Sequence, residues 1–446
     1  MDSIFSEIDE NASKSNKFWQ KVKDISRTSN DIDQNSVFEG SLKLWNSDHE
    51  WLETFFSLTT TCIYYHENDC PVMFSSISWK TVTPFSEENG KETRFGFRIS
   101  SRNYFQDFYT EDEEELEKWL IHLDGVSILS DFENDYSIIK EIGKGNYGTV
   151  FLAIENSTGD EFAVKSISKE LIAKSKRGIS AISNEINTMR KLNHPNIISL
   201  YKVYESATDI HMVFDYAADG NLREKIENNG PMSEDQAASF LENLLFAINY
   251  MHSQNIIHRD IKLENILFMS KEDPNDFKIC DFGLACELEE LSGSRCGTPG
   301  YIAPEILRKE KYDFKADIYS VGILLYHLLT GKSPFTGSSL GSKTVVLIQN
   351  RNNTINFKEQ RLKSISKQGI DTIRKLTSNN PDNRPNAQEA LEFPWISKSE
   401  QAPKKSSVSL FFKMSQKMKP LSQGVQSQPS QNKFANLFSR LKTLVT

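Results

Sequence analysis

The sequence predicts an α+β protein of several domains: a small β-rich module closed by one helix, a larger mixed region, and a polar tail. Three observations predict it. At 446 residues and 51.0 kDa the chain is too long for one core. Strand-length apolar runs broken by polar turns fill residues 38–125 and end in a stretch of helical period. From Tyr136 onward, strand-like and helix-like runs follow a glycine-rich loop. A hydrophobic content of 38% and a charged content of 25% suit a soluble globular protein.

Residues 1–34 are polar, with Ile4, Phe5, Phe18 and Trp19 as isolated apolar points, and read as a flexible or partly docked arm. In the next segment, 36–126, the runs Ser41-Leu42-Lys43-Leu44-Trp45, Thr54-Phe55-Phe56-Ser57-Leu58 and Cys62-Ile63-Tyr64-Tyr65 have strand length. Arg94-Phe95-Gly96-Phe97-Arg98-Ile99 alternates as a half-buried strand should. Thr110 is the expected N-cap of a helix whose first turn, Glu111 to Glu114, is acidic and complements the helix dipole. Leu116, Trp119, Leu120 and Leu123 then form one apolar face, with Trp119 expected in the core. Strands followed by one capping helix with a Trp resemble a pleckstrin-homology (PH) domain. In lipid-binding members of that family, basic residues line the first turn. Here Leu52, Glu53 and Thr54 stand where Lys and Arg are usual, and Asp48 and Glu50 add negative charge. Phosphoinositide binding is therefore disfavoured, and a protein-contact or autoregulatory role is expected. A short acidic linker, 127–135, follows.

No apolar run of 18 residues exists, the N-terminus lacks a signal-peptide pattern, and no lipidation motif is present. Cys62, Cys70, Cys280, Cys286 and Cys296 are too few and scattered for a disulfide framework or a zinc site. A reducing, cytoplasmic setting is expected. The net charge of −9 divides unevenly: residues 400–446 carry eight Lys or Arg against Glu400, giving +7 there and −16 elsewhere.

The chemistry concentrates in residues 257–283. Phosphoryl transfer needs an aligned nucleophile, a neutralised triphosphate and metal ions held between phosphate oxygens. In His258-Arg259-Asp260, Asp260 suits acceptance of a hydroxyl proton, and Lys262 suits a place near the moving phosphoryl group. Asn265 and Asp281, the latter in Asp281-Phe282-Gly283, are hard oxygen donors suited to Mg2+. Upstream, Ile142-Gly143-Lys144-Gly145-Asn146-Tyr147-Gly148-Thr149-Val150 lets backbone amides approach phosphates without a Cβ clash. Such a loop alone also fits a dinucleotide fold, but the next run, Glu161-Phe162-Ala163-Val164-Lys165, is a strand and not a helix. Lys165 is then the lysine for the α- and β-phosphates, and Glu185, mid-helix in 180–192, is its matching partner.

With these motifs, residues 136–396 resemble the eukaryotic protein kinases, which implies a bilobal fold, ATP and Mg2+ as cofactors, and protein substrates. Lys262 and Gly297-Thr298-Pro299 resemble the Ser/Thr branch, and the wording GTPGYIAPEIL and HRDIKLEN is nearest to the calcium/calmodulin-dependent kinase group. The resemblance implies that Phe214 is the gatekeeper and that the backbones of Asp215 and Ala217 meet the adenine edge. It further implies that Ile142, Val150, Ala163 and Leu267 enclose the adenine ring and that Thr298 hydrogen-bonds near the catalytic Asp260. Ser294 matches the activating phosphorylation site, a target for an upstream kinase, with Arg259 as the phosphate's partner. The alternative is that Ser294 stays unmodified and the acidic run Glu287 to Glu290 sets the segment. Asn221 stands where many relatives carry Glu, so the resemblance implies neither ribose contacts nor a preference for basic substrates there. Arg384 matches the arginine that pairs with Glu305.

In the tail, 397–446, the composition is that of disorder, yet Phe434, Leu437, Phe438 and Leu441 form one helical face among Lys433, Arg440 and Lys442. This is expected to be a calmodulin-like partner's target, an intramolecular ligand or a membrane-surface element. Nothing supports nucleic-acid binding. The rival to a kinase is a pseudokinase scaffold that binds nucleotide and partners without phosphoryl transfer. The presence of Lys165, Glu185, Asp260, Asn265 and Asp281 together disfavours it.

Overall fold

The computed structural model describes residues 5, 18–45, 50–89, 92–101, 104–145, 148–175, 178–271, 273–291, 296–335 and 343–397. Asp48, Asn146, Tyr147, Ser294 and the tail expectations lie outside the described residues. The described residues divide into two compact units, one formed by the chain up to Ser183 with Ser199–Tyr216, the other by Asn184–Ile198 with the chain from Ala217 to Ser397. Among the described residues no helix is long and apolar enough to cross a membrane.

In the first unit, strand β1 (Gln20–Lys21) and helix α1 (Ile25–Asn35) precede a four-strand meander, β2 (Ser36–Trp45), β3 (Trp51–Thr59), β4 (Cys62–Glu67) and β5 (Cys70–Ser76). A second meander follows: β6 (Thr81–Asn89), β7 (Glu92–Ser100) and β8 (Phe105–Tyr109). The two join where Lys43 of β2 pairs with Tyr109 of β8, giving the order β1-β5-β4-β3-β2-β8-β7-β6. Helix α2 (Glu113–Asp124) closes the sheet with Leu116, Trp119, Leu120 and Leu123, all buried as their spacing requires. Gly40 on β2 is set by this closure, since a Cβ there would stand 3.4 Å from the Trp119 ring.

One expectation needs correction, and the arm, read as flexible or partly docked, is docked in part. The helix is capped by Asp112, whose side chain accepts from the Glu115 amide at 2.9 Å; Thr110 instead donates its hydroxyl to the Asp112 and Phe95 carbonyls. The arm is ordered over 18–35: Phe18 is buried in the module's core, Trp19 packs on Phe56 and Phe108, and α1 carries a capping Asp24. Aromatic contacts across some 90 residues of sequence leave no local periodicity, which is why the polar composition of the arm concealed them.

The linker is a strap between two sheets. Ile128 exchanges backbone hydrogen bonds with Lys80 and Val82 of the N-terminal module, and Leu129 with Val203 and Glu205 of the next sheet. That sheet comprises β9 (Tyr136–Lys144), β10 (Thr149–Glu155), β11 (Glu161–Ser168), β12 (Leu200–Glu205) and β13 (Asp209–Asp215), in the order β12-β13-β11-β10-β9. Phe132, in the short helix α3 (Phe132–Asp135), stacks on Tyr136 and His211. With Leu129 it shares one buried cluster with Ala153, Val164, Tyr204 and Val213. Strand alternation places Ala163 and Lys165 on the face opposite Val164. Helices α4 (Lys169–Lys174) and α5 (Gly178–Arg190) follow β11; Ile182, Ile186 and Met189 are buried, as is Leu192 just beyond.

The second unit is mostly helical. It contains α6 (Leu222–Asn229), α7 (Glu234–Ser253), α8 (Pro304–Arg308), α9 (Lys315–Thr330), α10 (Lys343–Arg351), α11 (Lys367–Leu376), α12 (Ala387–Leu391) and α13 (Pro394–Ser397). Between α7 and α8 lie the short strands β14 (Ile256–Ile257), β15 (Ile266–Phe268), β16 (Phe277–Ile279) and β17 (Cys286–Glu287). Helix α9 is apolar on all sides and buried, apart from its first residue, so it serves as the post on which the loops of this unit are fixed.

Candidate active site

The antiparallel pair β15–β16, in the register Ile266↔Ile279, brings the residue before one strand beside the residues after the other. Asn265 is thereby set against Cys280, whose amide donates to the Asn265 carbonyl at 2.9 Å, and Asp281 follows at φ 63°. Phe282 is buried and meets the His258 ring edge-on at 4.8 Å. On the other side, the pair β14–β17 aligns Ile257 with Cys286.

The loop carrying Asp260 hangs on Asp317 of α9. The Asp317 carboxylate accepts from the amides of His258 and Arg259, both at 2.9 Å, and from His252 Nε2 at 3.0 Å. Burial pushes the Asp317 carboxyl up, but hydrogen bonds and charge from His252 and His258 outweigh it and hold the group below its ordinary value. These contacts stabilise Arg259 at φ 67°, an unusual conformation that turns the next side chain inward.

Asp260 is buried and fully engaged. Thr298 Oγ1 donates to Oδ1 at 2.7 Å, Lys262 Nζ to Oδ2 at 2.5 Å, and Asn265 Nδ2 to Oδ2 at 3.2 Å. Lys262 also reaches Thr298 at 2.9 Å, closing a ring of three side chains. Gly297 (φ 103°) delivers Thr298 there, because a Cβ on it would lie 2.8 Å from the Arg259 carbonyl. Glu185 is against the same turn: a Cβ on Gly283 would be 3.5 Å from its Oε2, and the neighbouring Asn184 donates to the Ala285 carbonyl at 2.6 Å. The structure thus brings together Asp260, Lys262, Thr298, Asn265, Asp281 and Glu185 in the second unit.

The remaining expected residues have these places. Ile142, Gly143 and Lys144 end β9, Gly145 and Gly148 flank the turn, and Val150, Ala163 and Lys165 lie in β10 and β11. Gly148 is needed for close approach, since a Cβ would stand 2.3 Å from the Ser166 carbonyl. Phe214 and Asp215 end β13, where Asp215 accepts from the Ser199 amide and the Tyr201 hydroxyl. In the second unit, Ala217 starts the longer segment and Leu267 sits in β15. Arg259 donates through Nε to the Leu284 carbonyl at 2.7 Å and through a guanidinium nitrogen to Tyr312 at 3.2 Å, a phenol that sequence spacing did not flag. Glu287 and Glu289 are engaged by Lys191 and Asn255.

Two buried histidines give this unit a pH dependence. Burial, with Lys278 nearby, lowers His194 to about 4, and burial, with Arg223 nearby, lowers His327 to about 4. An unfolded histidine titrates near ~6.5, so as pH falls from there towards 4 the unfolded chain binds more protons. Stability is therefore full above pH ~6.5 and is lost on acidification, by up to ~1.4 kcal/mol per pH unit for each histidine. Urea titrations at pH 7.5 and 5 are expected to show this loss, and His327→Gln is expected to flatten it. A stability independent of pH across that window would refute the assignment.

A family description, "Protein kinase domain", matches residues 136–396. The chain is 34% identical over 301 residues to "Probable serine/threonine-protein kinase 2" of Plasmodium falciparum, covering 67% of this chain and 57% of that protein. It is 37% identical over 269 residues to "Death-associated protein kinase 2" of Mus musculus (59% of this chain, 72% of that protein). To "Myosin light chain kinase A" of Dictyostelium discoideum it is 33% identical over 270 residues (60% and 90%). The chain thus spans little more than half of the first of these relatives and more of the other two. Members of the family generally use ATP and Mg2+. The chain belongs to the protein kinase family.

Proposed function

We propose that this kinase transfers the γ-phosphoryl group of Mg-ATP to Ser or Thr hydroxyls of protein substrates, with Asp260 as the base. The observation that carries this reading is the closed ring of Asp260, Lys262 and Thr298. It holds a buried carboxylate oriented beside a lysine able to meet a developing phosphoryl charge. Asn265 commits Nδ2 to Asp260, which leaves Oδ1 to ligate, and Asp281 supplies an exposed carboxylate. Two hard oxygens on one turn suit Mg2+, which keeps few protein ligands and takes the rest from water and phosphates. The bound ion would neutralise charge between β- and γ-oxygens. Lys165, with Glu185 as partner, and the amides of residues 143–148 are the groups assigned to the triphosphate. Ile142, Val150, Ala163 and Leu267 are assigned to the adenine ring, with the backbones of Asp215 and Ala217 at its edge.

In this reading the N-terminal module is a PH-like domain, supported by its two meanders of four and three strands and its single closing helix. Phosphorylation of Ser294, paired with Arg259, would order the activation segment. The basic tail is assigned a regulatory role, either within the chain or as the target of a calmodulin-like protein, and deletion of residues 400–446 is the direct measurement of it.

The test is transfer of γ-phosphate from Mg-ATP to a mixed peptide library by the full chain and by Asp281→Asn. The variant is expected to need more Mg2+ and to transfer at least tenfold less at any Mg2+ level, as expected when a hard anionic ligand is lost. ATP binding without transfer by the native chain, even with Ser294 phosphorylated, would favour the scaffold reading.

A further inference from the structure

A kinase that selects basic peptides must offer unpaired carboxylates near its catalytic loop, because a buried or shielded acid gains little from a second cation. The catalytic loop here contains one acid besides Asp260: Glu264, two residues after Lys262 and one before Asn265. Its partner is in place already. Arg223, on α6, donates to Glu264 Oε1 through Nε at 2.8 Å and through a terminal nitrogen at 2.7 Å. The other terminal nitrogen of Arg223 lies 3.5 Å from Glu227. Glu264 Oε2 is buried and lacks a hydrogen-bond partner among the described residues, so the polar contacts of this carboxylate run through Oε1, which Arg223 holds.

The other acids of this surface are engaged in the same manner. Asp219 is bound by Lys225, and Glu224 caps its own helix by accepting from the Asn221 amide at 3.2 Å. Asp219, Glu224 and Glu264 are thus each engaged through one carboxylate oxygen from within the chain, and Glu227 lies beside the guanidinium that holds Glu264. Arg223 and Glu264 remain accessible over 39% and 36% of their side chains, so an approaching peptide meets a neutralised pair and not a buried one. Burial pulls the Arg223 guanidinium down, while Glu264 and Glu227 more than offset this and hold it above its ordinary value. Both Arg223 and Glu264 also act on Tyr301, three residues after Thr298, which places the pair beside the segment that completes the catalytic ring.

We propose that Arg223 determines substrate choice by occupying the acidic surface beside the catalytic loop, so that the favoured substrates are peptides without basic residues around the phosphoacceptor. This rests on the phosphoryl-transfer reading and names the substrate class for the same site. A further consequence is that removing one side chain should convert the preference, because the Glu264 carboxylate is already positioned and lacks only release from the Arg223 charge.

The experiment measures kcat/KM for a Ser peptide with neutral flanks and for the same peptide with Arg scanned through each flank. It uses the full chain, Arg223→Ala and, should alanine impair folding as judged by thermal melting, Arg223→Gln. The native chain is expected to phosphorylate the neutral peptide at least as well as any basic one. The variants are expected to raise the basic-to-neutral ratio by about tenfold or more, the size of one charge-assisted hydrogen bond. A native chain that already prefers basic peptides, or a ratio unmoved in a folded variant, overturns the proposal while leaving the kinase reading intact. Absence of transfer to every peptide by the native chain, with ATP bound, overturns both.

Discussion

Asp260→Asn is expected to lower phosphoryl transfer by ~10²–10⁴-fold, the range for loss of a positioned general base. The carboxylate is buried and receives hydrogen bonds from Thr298, Lys262 and Asn265, so its orientation is fixed by three partners at once. Asparagine has the same shape but no proton affinity. Its amide can turn its oxygen to Lys262 and its nitrogen to Thr298, whose hydroxyl is able to accept. The fold is therefore expected to survive, with a thermal midpoint close to that of the native chain, while turnover collapses. Comparison of kcat with ATP affinity checks this, because the loss should fall on kcat. Retention of transfer within tenfold, by a variant shown to be folded, would remove Asp260 from the role of base.

The second large effect concerns Arg384 and Glu305. Both are buried, and the pair is bidentate, with nitrogen–oxygen distances of 2.5 and 2.7 Å. The guanidinium also donates to the Ser378 and Lys315 carbonyls and covers the Tyr319 ring at 5.0 Å. Arg384→Ala strands a carboxylate in the interior and should cost about 3–5 kcal/mol. Lysine cannot restore two parallel hydrogen bonds, so Arg384→Lys should recover little. The double variant Arg384→Met with Glu305→Leu should recover most of the loss, since it removes both charges together. Hydrogen exchange in helix α9 reads the effect locally, and an Arg384→Ala chain as protected as the native one would refute it. Glu305 follows the segment that carries Thr298, so the same variant should also loosen the catalytic ring.

Much of the site was legible because its chemistry sits in short motifs. Asp260, Lys262 and Asn265 are within six residues, and the β15–β16 hairpin needs only local pairing to bring Asp281 to Asn265. The Arg384–Glu305 pair spans 79 residues, yet the family resemblance foresaw it. Helix α2 and its core face followed from spacing alone, although the cap moved from Thr110 to Asp112 because Thr110 turns its hydroxyl to carbonyls. Where the arm docks was not legible. Phe18 and Trp19 meet Tyr104, Phe56 and Phe108 across long stretches of sequence, and such contacts leave no periodic trace.

The sequence by itself determined the family, the catalytic motifs and the alternating strands of the N-terminal module, because each depends on residue type at short spacing. Only the tertiary structure decided that the linker is a strap paired to two sheets and that Phe132 completes the cluster containing Val164. Only the structure likewise showed Arg223 closing off Glu264, 41 residues away. The physical reason is common to all three. Backbone pairing, side-chain burial and charge neutralisation are settled between partners distant in sequence, where composition records that a charge or ring exists but not what it meets.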